Sequence, residues 1–268
     1  MLVALLQANA TPLDVRANLA TMAAAAAEAA AAGADVLVTP ELFAVGYDPL
    51  GIEAGLDPAG LPQIRQELAA IAADHGIGLV YCLPRPDAAG RLNIAATLLD
   101  ATGSEILNYA KVHLFGDDER KAFSGATEPP GVVSLGGLNV AMVICYDVEF
   151  PETVRAAAVR GADVVLVPTA LAHGFDEVPQ LLVRARALEN HVAIAYANHC
   201  GTEAGLVFGG GSVIAGPDGE LLASAGPDAA LLYARLDAAA IRATRAEVPY
   251  LAERRPDLYA RWAKDETD

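Results

Sequence analysis

The chain reads Asn139-Val-Ala-Met-Val-Ile-Cys145 and continues as Tyr146-Asp-Val-Glu-Phe-Pro151-Glu152. The first run is apolar and rich in β-branched residues, which predicts a buried strand. Pro151 suits the first turn of a helix, and the chain after Thr153 is rich in alanine. The pattern therefore predicts a thiol where a strand gives way to a helix. Ligands of open α/β sheets bind at this edge, so Cys145 is a candidate nucleophile, although a lone cysteine is more often a small buried apolar residue.

Strand and helix patterns alternate along the whole chain, which indicates an α/β protein. Ala31-Ala-Gly-Ala-Asp-Val-Leu-Val-Thr-Pro40 resembles Arg160-Gly-Ala-Asp-Val-Val-Leu-Val-Pro168, and each reads as a helix end, a glycine stop and a buried strand. We expect two similar halves whose strands end at one shared edge. No low-complexity linker separates them, so we predict a single domain over residues 1–268 with a polar helical tail from about residue 238.

The patterns also predict the positions of the individual elements. The predicted helices are 14–32, 62–75, 152–160 and 177–190. The predicted strands are 2–8, 36–39, 78–83, 91–99, 105–109, 139–145, 163–168, 191–198, 212–215, 221–224 and 230–235.

The composition excludes several classes of function. A net charge of −16 argues against binding to nucleic acid or to an anionic membrane surface, since both need a basic footprint. Residues 1–7 read directly as a strand without a signal-peptide pattern, and the alanine-rich stretch 20–32 is too weakly hydrophobic to span a membrane. Three widely spaced cysteines fit a reducing cytoplasm, and the five histidines lack metal-ligand spacing. We therefore expect a cytoplasmic protein without a metal site.

Three other ionisable residues stand out beside the thiol. Glu41 follows a predicted strand and a proline, where partial desolvation raises a carboxyl pKa towards that of a general base; a helix cap or a solvated carboxylate is the alternative. Lys111 lies in the apolar stretch 109–116, where an ammonium either reaches solvent or finds an anion. In a pocket, that ammonium would lower the pKa of a thiol and stabilise an oxyanion. Glu119 lies in the charged run 116–121, which indicates a solvated turn.

Taken together, these segments resemble the nitrilase superfamily of carbon–nitrogen hydrolases. Residues 40–43 are similar to the family's glutamate motif, residues 109–116 to its lysine motif and residues 145–152 to its cysteine motif. Further matches extend the resemblance from the first strand to about Asp237. The resemblance implies a four-layer αββα sandwich of two mixed sheets with outer helices.

The resemblance also implies a catalytic triad of Glu41, Lys111 and Cys145. Glu119 matches a second glutamate that positions the substrate or the lysine in this family, which replaces the solvated turn as our expectation. In the implied mechanism Glu41 takes the thiol proton and the thiolate attacks an amide carbonyl. Lys111 and a backbone N–H, that of Tyr146, hold the oxyanion while a thioester forms and is then hydrolysed.

Positions next to the motifs predict the walls of a substrate pocket, with core packing as the alternative for each aromatic side chain. The predicted pocket residues are Tyr47, Phe115, Tyr146, Thr169 and His173.

The expected activity is that of an amidase that hydrolyses small carboxamides to the acid and ammonia without a cofactor. N-carbamoyl amino-acid hydrolase, omega-amidase and nitrilase activities are the alternatives among enzymes. A catalytically silent binding subunit is the alternative outside them, although the intact set of Glu41, Lys111 and Cys145 argues against it. The expected partners are a small amide substrate and further copies of the chain, in a homodimer or a larger homo-oligomer.

Overall fold

The computed structural model describes the backbone of residues 1–265 and the side chains of residues 1–262. The strands β1 to β14 are Leu2–Gln7, Val36–Val38, Gly78–Pro86, Leu92–Leu99, Glu105–Ala110, Val133–Leu135, Leu138–Met142, Val164–Pro168, Ala193–Ala197, Cys200–Glu203, Leu206–Gly209, Val213–Ala215, Leu221–Ser224 and Ala230–Arg235. The helices α1 to α8 are Val15–Ala31, Pro49–Gly55, Leu61–His75, Gly116–Ala122, Pro151–Val159, Val183–Asn190, Ala238–Glu247 and Pro256–Asp265.

The strands form two six-stranded mixed sheets and a separate hairpin of β10 and β11. The first sheet has the order β14-β1-β2-β3-β4-β5, in which β1, β2 and β3 are parallel. The second has the order β13-β12-β9-β8-β7-β6, in which β7, β8 and β9 are parallel. All other neighbours in the two sheets pair antiparallel. The two sheets therefore share one plan, a parallel centre with antiparallel flanks.

The two sheets pack face to face through their central strands, with β2 and β3 against β8 and β1 against β9. Helices α1 and α3 cover the outside of the first sheet, and α6 covers the second with α5 packed beside it. Because the central strands are covered on both faces, every residue of β2, β8 and β9 is buried. This layer order confirms the predicted αββα sandwich. One continuous apolar core runs through both sheets and supports the single domain over residues 1–268, which stays a prediction.

The internal repeat corresponds to two matching helix–strand units, α1 with β2 and α5 with β8. Each helix is followed by a glycine in the left-handed region, Gly33 at φ 78° and Gly161 at φ 96°, where a side chain would be strained. The two strand ends then meet at one edge, since the Glu41 N–H donates to the Thr169 carbonyl oxygen at 3.2 Å. The expected shared edge is confirmed.

Three of the predicted segments have a different conformation in the structure. The strand predicted to reach Cys145 ends at Met142, and Cys145 begins a 3-10 helical turn over Cys145–Glu149. The charged run 116–121 is not a turn but the helix α4, which buries one of its side chains. The predicted helix 177–190 starts with a π-helical turn at Val178–Leu182, which includes a proline without an N–H to donate.

The C-terminal segment is helical, as predicted, in α7 and α8, and residues 266–268 lie outside the described part of the chain. Within residues 1–265, no helix has both the length and the apolar character needed to cross a lipid bilayer.

Candidate active site

Glu41 lies just past the carboxyl end of β2, and its side chain is fully buried. The backbone N–H and carbonyl oxygen of Glu41 are both in hydrogen bonds. The N–H donates to the Thr169 carbonyl oxygen at 3.2 Å, and the carbonyl oxygen lies 2.6 Å from His199 Nε2. The next residue, Leu42, is left-handed at φ 55°. The turn therefore fixes the direction in which the Glu41 carboxylate leaves the sheet.

Lys111 directly follows β5, and its side chain has no exposed surface. Its ammonium donates to Glu41 Oε1 and to Glu119 Oε1, each at 2.7 Å. A buried ammonium is tolerated when anions pair with it, and here two carboxylates do so. Of the two options that the sequence left open, Lys111 takes the second, an anion inside the protein.

Glu119 reaches the same ammonium from α4 and is only 1% exposed. Its Oε1 also accepts a hydrogen bond from the Tyr47 hydroxyl at 2.6 Å, and its Oε2 accepts one from the Phe115 N–H at 2.8 Å. Its helical neighbours Asp117 and Asp118 are exposed, so one short helix presents acidic side chains both to solvent and to the interior. The composition alone predicted a solvated Glu119, and that prediction is wrong.

Cys145 is 7% exposed and has a backbone φ of 48°. A non-glycine residue in this region is strained by about 1–3 kcal/mol, and such strain is found most often at functional sites. The thiol lies at the start of the 3-10 turn Cys145–Glu149, beyond the carboxyl end of β7. The first N–H groups of such a turn have no acceptor within it, and the N–H of Tyr146 is one of them.

The burial of these groups shifts their protonation. Burial raises the pKa of Glu41 to about 7, against the opposing charge of Lys111 and with the support of Glu119. Burial by itself would lower the pKa of Lys111, but the surrounding anions, first Glu41, raise it above its usual value. Burial and then the Glu41 charge raise the pKa of the Cys145 thiol well above its usual range, and the Lys111 charge opposes them without prevailing. At neutral pH the resting site holds a neutral thiol, an ammonium and a Glu41 carboxyl near its midpoint.

A second buried carboxylate, Asp147, fixes the turn that carries the thiol. Its Oδ2 accepts from the Tyr109 hydroxyl at 2.9 Å and from the Ile144 N–H at 3.3 Å. Its Oδ1 accepts from the His113 N–H at 2.9 Å and lies 2.8 Å from His113 Nδ1. Asp147 thus ties the cysteine turn to the segment that carries Lys111. The sequence placed Asp147 in the cysteine motif but gave no sign of this role.

A third buried carboxylate, Glu203, lies behind Glu41. It accepts from the N–H groups of Ala10 at 2.8 Å and of Tyr47 at 3.0 Å, and its Oε1 lies 2.6 Å from His199 Nδ1. Both ring nitrogens of His199 face oxygen acceptors, since Nε2 meets the Glu41 carbonyl. Nε2 therefore donates to that carbonyl, and His199 and Glu203 share one further proton across the Nδ1 contact. The sequence analysis did not identify this pair.

A cavity of about 400 Å³ opens onto Cys145 and Glu119. Among the predicted pocket residues, Tyr47, Phe115 and Tyr146 line it, whereas Thr169 and His173 do not. Thr169 is fully buried and contributes its backbone to the position of Glu41, and His173 is exposed outside the lining. Position next to a motif did not show which way these two side chains point, and the structure corrects both.

The cavity has walls that the sequence did not reveal. Glu149 comes from the cysteine turn, Leu171 and Ala172 from the loop after β8, Phe175 from the segment before α6, and Leu206 from the hairpin of β10 and β11. Apart from Glu149, these residues lie outside the three motifs, and since their segments are far apart in the chain, only the fold brings them together.

Comparison with known proteins agrees with the fold. A protein named "Hydrolase in pqqF 5'region" from Pseudomonas protegens is 42% identical over 261 residues, which are 97% of this chain and 90% of that protein. The 2-oxoglutaramate amidase of Bacillus subtilis is 32% identical over 231 residues, 84% of this chain and 87% of that enzyme.

Among solved structures, the C145A mutant of the amidase from Nesterenkonia sp. AN1 in complex with butyramide has a TM-score of 0.91 and 46% sequence identity. The comparison covers 98% of this chain and 97% of that one. The E41Q/C145A double mutant of that amidase has been solved in complex with acrylamide, and its E41Q mutant shows Michael addition of acrylamide at the active site cysteine.

The family model for carbon–nitrogen hydrolases matches residues 2–246. This chain therefore belongs to the carbon–nitrogen hydrolase family, within the nitrilase superfamily, and is a hydrolase that acts on carbon–nitrogen bonds.

Proposed function

We propose that this enzyme is an amidase that converts small carboxamides to the acid and ammonia, with Cys145 as the nucleophile. The observation that carries the proposal is the buried Lys111 ammonium, which lies 2.7 Å from both Glu41 and Glu119, behind a cavity that is lined by Glu119 and Cys145. A nucleophile, a base and a fixed cation are what acyl transfer from an amide requires.

The first step is attack of the Cys145 sulfur on the amide carbon. Because the pKa of the thiol is high, the proton leaves the sulfur as the carbon–sulfur bond forms, and Glu41, with a pKa of about 7, accepts it. The carbonyl oxygen becomes an oxyanion, which the Lys111 ammonium and the Tyr146 N–H stabilise. A preorganised donor of this kind contributes about 100-fold or more to the rate.

The second step releases ammonia. Glu41 returns its proton to the amide nitrogen, the carbon–nitrogen bond breaks, and the acyl group remains on sulfur as a thioester. Glu41 then takes a proton from water, the hydroxide attacks the thioester, and the proton returns to the departing sulfur. The net reaction is amide plus water to acid plus ammonia, and no cofactor enters it.

Glu119 has a positioning role in this scheme. It accepts hydrogen bonds from Lys111 and Tyr47, so it holds the ammonium in place together with Glu41 and orients one wall of the cavity. Its negative charge also helps to raise the pKa of Glu41 into the range where a carboxyl can both take and return a proton near neutrality.

The comparisons support amides over nitriles as substrates. The Nesterenkonia amidase, at 46% identity, has been solved with butyramide, and its double mutant with acrylamide. A cavity of about 400 Å³ accommodates acyl groups of this size.

The test is ammonia release from butyramide by the purified protein. Cys145→Ala should abolish turnover and keep the fold, and acyl transfer should appear as a thioester adduct by mass spectrometry of the quenched wild type. Cys200→Ala is the matched control, because Cys200 lies outside the cavity lining and should leave turnover intact. Full turnover by Cys145→Ala would remove the nucleophile assignment.

We also infer that the enzyme works in the cytoplasm as a homodimer or a larger homo-oligomer. All three cysteines are unpaired, which fits a reducing compartment. Large side chains of the C-terminal segment are exposed, among them Tyr250, Tyr259 and Trp262. Sedimentation velocity should show a dimer or larger species, and Trp262→Ser should weaken it; a monomer at micromolar concentration would contradict the inference.

A further inference from the structure

The cavity above the thiol has an acidic lining. Within the described residues its lining contains no lysine, arginine or histidine. The acidic members of the lining are Asp48, Asp117, Asp118, Glu119, Glu149 and Glu203.

Most of these carboxylates have partners that reduce their effect on a ligand. Glu119 and Glu203 accept the buried hydrogen bonds described above, Asp48 caps α2, and Asp117 pairs with Arg120 at 3.0 Å. Among the described residues, Asp118 and Glu149 are the acidic members of the lining that have no such partner. Asp118 is exposed on α4, where solvent screens its charge.

Glu149 is placed differently, because it is half-buried and belongs to the same 3-10 turn as the nucleophile. Its carboxylate has no hydrogen bond and no ion pair to any other residue in the described part of the chain. The neighbouring cation, Arg186, does not neutralise it. The guanidinium of Arg186 donates instead to the backbone carbonyls of Val148 at 3.2 Å and Glu149 at 2.7 Å and to the Glu189 carboxylate at 3.2 Å.

The size of the cavity keeps every acyl group within reach of this charge. A sphere of the same volume is about 9 Å across, close to the Debye length of about 8 Å at physiological ionic strength. A charge at the far end of a bound acyl group therefore lies close enough to the Glu149 carboxylate for the two charges to interact without full screening by salt.

We propose that Glu149 is a charge filter that determines specificity: the cavity accepts amides whose acyl group is neutral or carries an ammonium and rejects those whose acyl group ends in a carboxylate. This inference rests on the amidase activity proposed above. It separates the chain from its relative the 2-oxoglutaramate amidase, because 2-oxoglutaramate carries a carboxylate and the described residues of this cavity's lining include no cation to bind one.

The test compares three amides of nearly equal length: valeramide, γ-aminobutyramide and the monoamide of glutaric acid. We expect wild-type kcat/KM for the glutaric monoamide to be about tenfold or more below that for valeramide, a factor that corresponds to about 1.4 kcal/mol. Burial and the nearby Glu177 raise the pKa of Glu149, so the assay is run at about pH 8 to keep it ionised.

Glu149→Gln removes the charge and nearly keeps the shape. We expect it to raise the ratio of kcat/KM for the glutaric monoamide to that for valeramide by about tenfold and to lower the ratio for γ-aminobutyramide. Glu152→Gln is the matched control, since Glu152 is exposed on α5 and outside the cavity lining, and it should leave both ratios unchanged. Calorimetry of the three amides with Cys145→Ala gives the order of their binding affinities without turnover.

Equal wild-type values for valeramide and the glutaric monoamide, or ratios that Glu149→Gln does not move, would overturn the charge filter. Absence of turnover with all three amides would overturn the amidase proposal instead, and the order of binding to Cys145→Ala would then decide the charge filter by itself.

Discussion

The acid limb of the pH–rate profile should move when Glu119 loses its charge. In Glu119→Gln the side-chain carbonyl still accepts from the Lys111 ammonium and the Tyr47 hydroxyl. The amide nitrogen replaces Oε2 and no longer accepts from the Phe115 N–H. The substitution therefore removes one buried negative charge and one hydrogen bond, and it leaves the volume of the site almost unchanged.

The size of the shift follows from the geometry. The Oε1 atoms of Glu41 and Glu119 each lie 2.7 Å from Lys111 Nζ, so they are no further apart than twice that distance. At an effective dielectric constant of about 20, two unit charges about 5 Å apart interact by about 3 kcal/mol, and one pKa unit is about 1.4 kcal/mol. Since relaxation and water reduce this value, we expect the limb to move by about 1–2 pH units.

The direction of the shift is towards lower pH. The charge of Glu119 raises the pKa of Glu41, and a base with a raised pKa is protonated, and so inactive, up to a higher pH. In the wild type, with a Glu41 pKa of about 7, kcat/KM should rise about tenfold per pH unit below pH 7 and level off above it. Without Glu119 the same rise should occur at lower pH, with a lower plateau because the lost Phe115 contact loosens the site.

The assay is the initial rate of ammonia release from butyramide well below KM, from about pH 5 to 9 at constant ionic strength. Glu67→Gln, an exposed change on α3, is the control and should reproduce the wild-type profile. Circular dichroism at each pH confirms that the fold persists. An acid limb of Glu119→Gln that coincides with the wild type or moves to higher pH would refute the assignment of Glu41 as the titrating base.

Three further predictions concern the groups around the triad. Lys111→Met leaves two carboxylates buried without their cation, so the free energy of unfolding by urea should fall by about 3–5 kcal/mol. The loss should be larger at pH 8 than at pH 5, because the buried carboxyls are more easily kept neutral at pH 5. An equal loss at both pH values would contradict this. Asp147→Asn and Tyr109→Phe disturb the same hydrogen-bonded network. Their effects on kcat should therefore be non-additive, with a coupling energy of about 1 kcal/mol in a double-mutant cycle. Glu203→Leu removes the acceptor of two backbone N–H groups and of His199, so it should lower the stability by about 3 kcal/mol, measured by thermal melting, and lower kcat more than it changes KM; a variant as stable as the wild type would refute the role of this carboxylate.

The centre of the fold could be predicted from the sequence because its elements carry strong local signals. Strands β2 and β8 are buried on both faces and so appear as uninterrupted apolar runs. Helix α1 begins at a residue whose side chain caps it, Asp14, and is followed by left-handed Gly33. The repetition of this helix–strand unit also predicted that the two strand ends would meet. The number of layers came from the family resemblance, since no local pattern records which faces pack together.

The site was predictable only in part, because local pattern does not show which way a short polar segment faces. Helix α4 has seven residues and acidic side chains in its first turn, as a solvated helix would. Glu119 faces inward because Lys111 and Tyr47 meet it there, and both come from other segments of the chain. Thr169 shows the converse error, since it follows a central strand at the right edge but turns its side chain into the core.

The residues that support the site were even harder to predict from the sequence. His199 and Glu203 are four residues apart around a strand that forms a two-stranded hairpin, a spacing without a periodic signal. Glu149 lies inside a recognised motif, but its importance comes from what is missing around it, a cation among the described residues of the lining. Such an absence can be read only from a folded structure.

The charge balance of the buried cluster determines what kind of thiol chemistry the site can perform. When Glu41 is ionised, one ammonium faces two carboxylates, so the thiol experiences a net negative environment as well as burial. Both effects raise its pKa, and no preformed thiolate is available at neutral pH. Sites that pair a cysteine with a protonated histidine act differently, because they stabilise the thiolate in advance.

A neutral thiol is activated only when an electrophile is placed so that attack and proton transfer to Glu41 occur together. We therefore expect slow alkylation of Cys145 by an amide-free alkyl iodide at pH 7, and a much faster reaction with iodoacetamide, whose amide group enters the cavity beside the Lys111 ammonium. The second-order rate constants of alkylation by iodoacetamide and by an amide-free alkyl iodide, measured for the wild type and for Glu41→Gln, distinguish the two cases. If the preference for the amide reagent survives in Glu41→Gln, the carboxyl is not the base that activates the thiol.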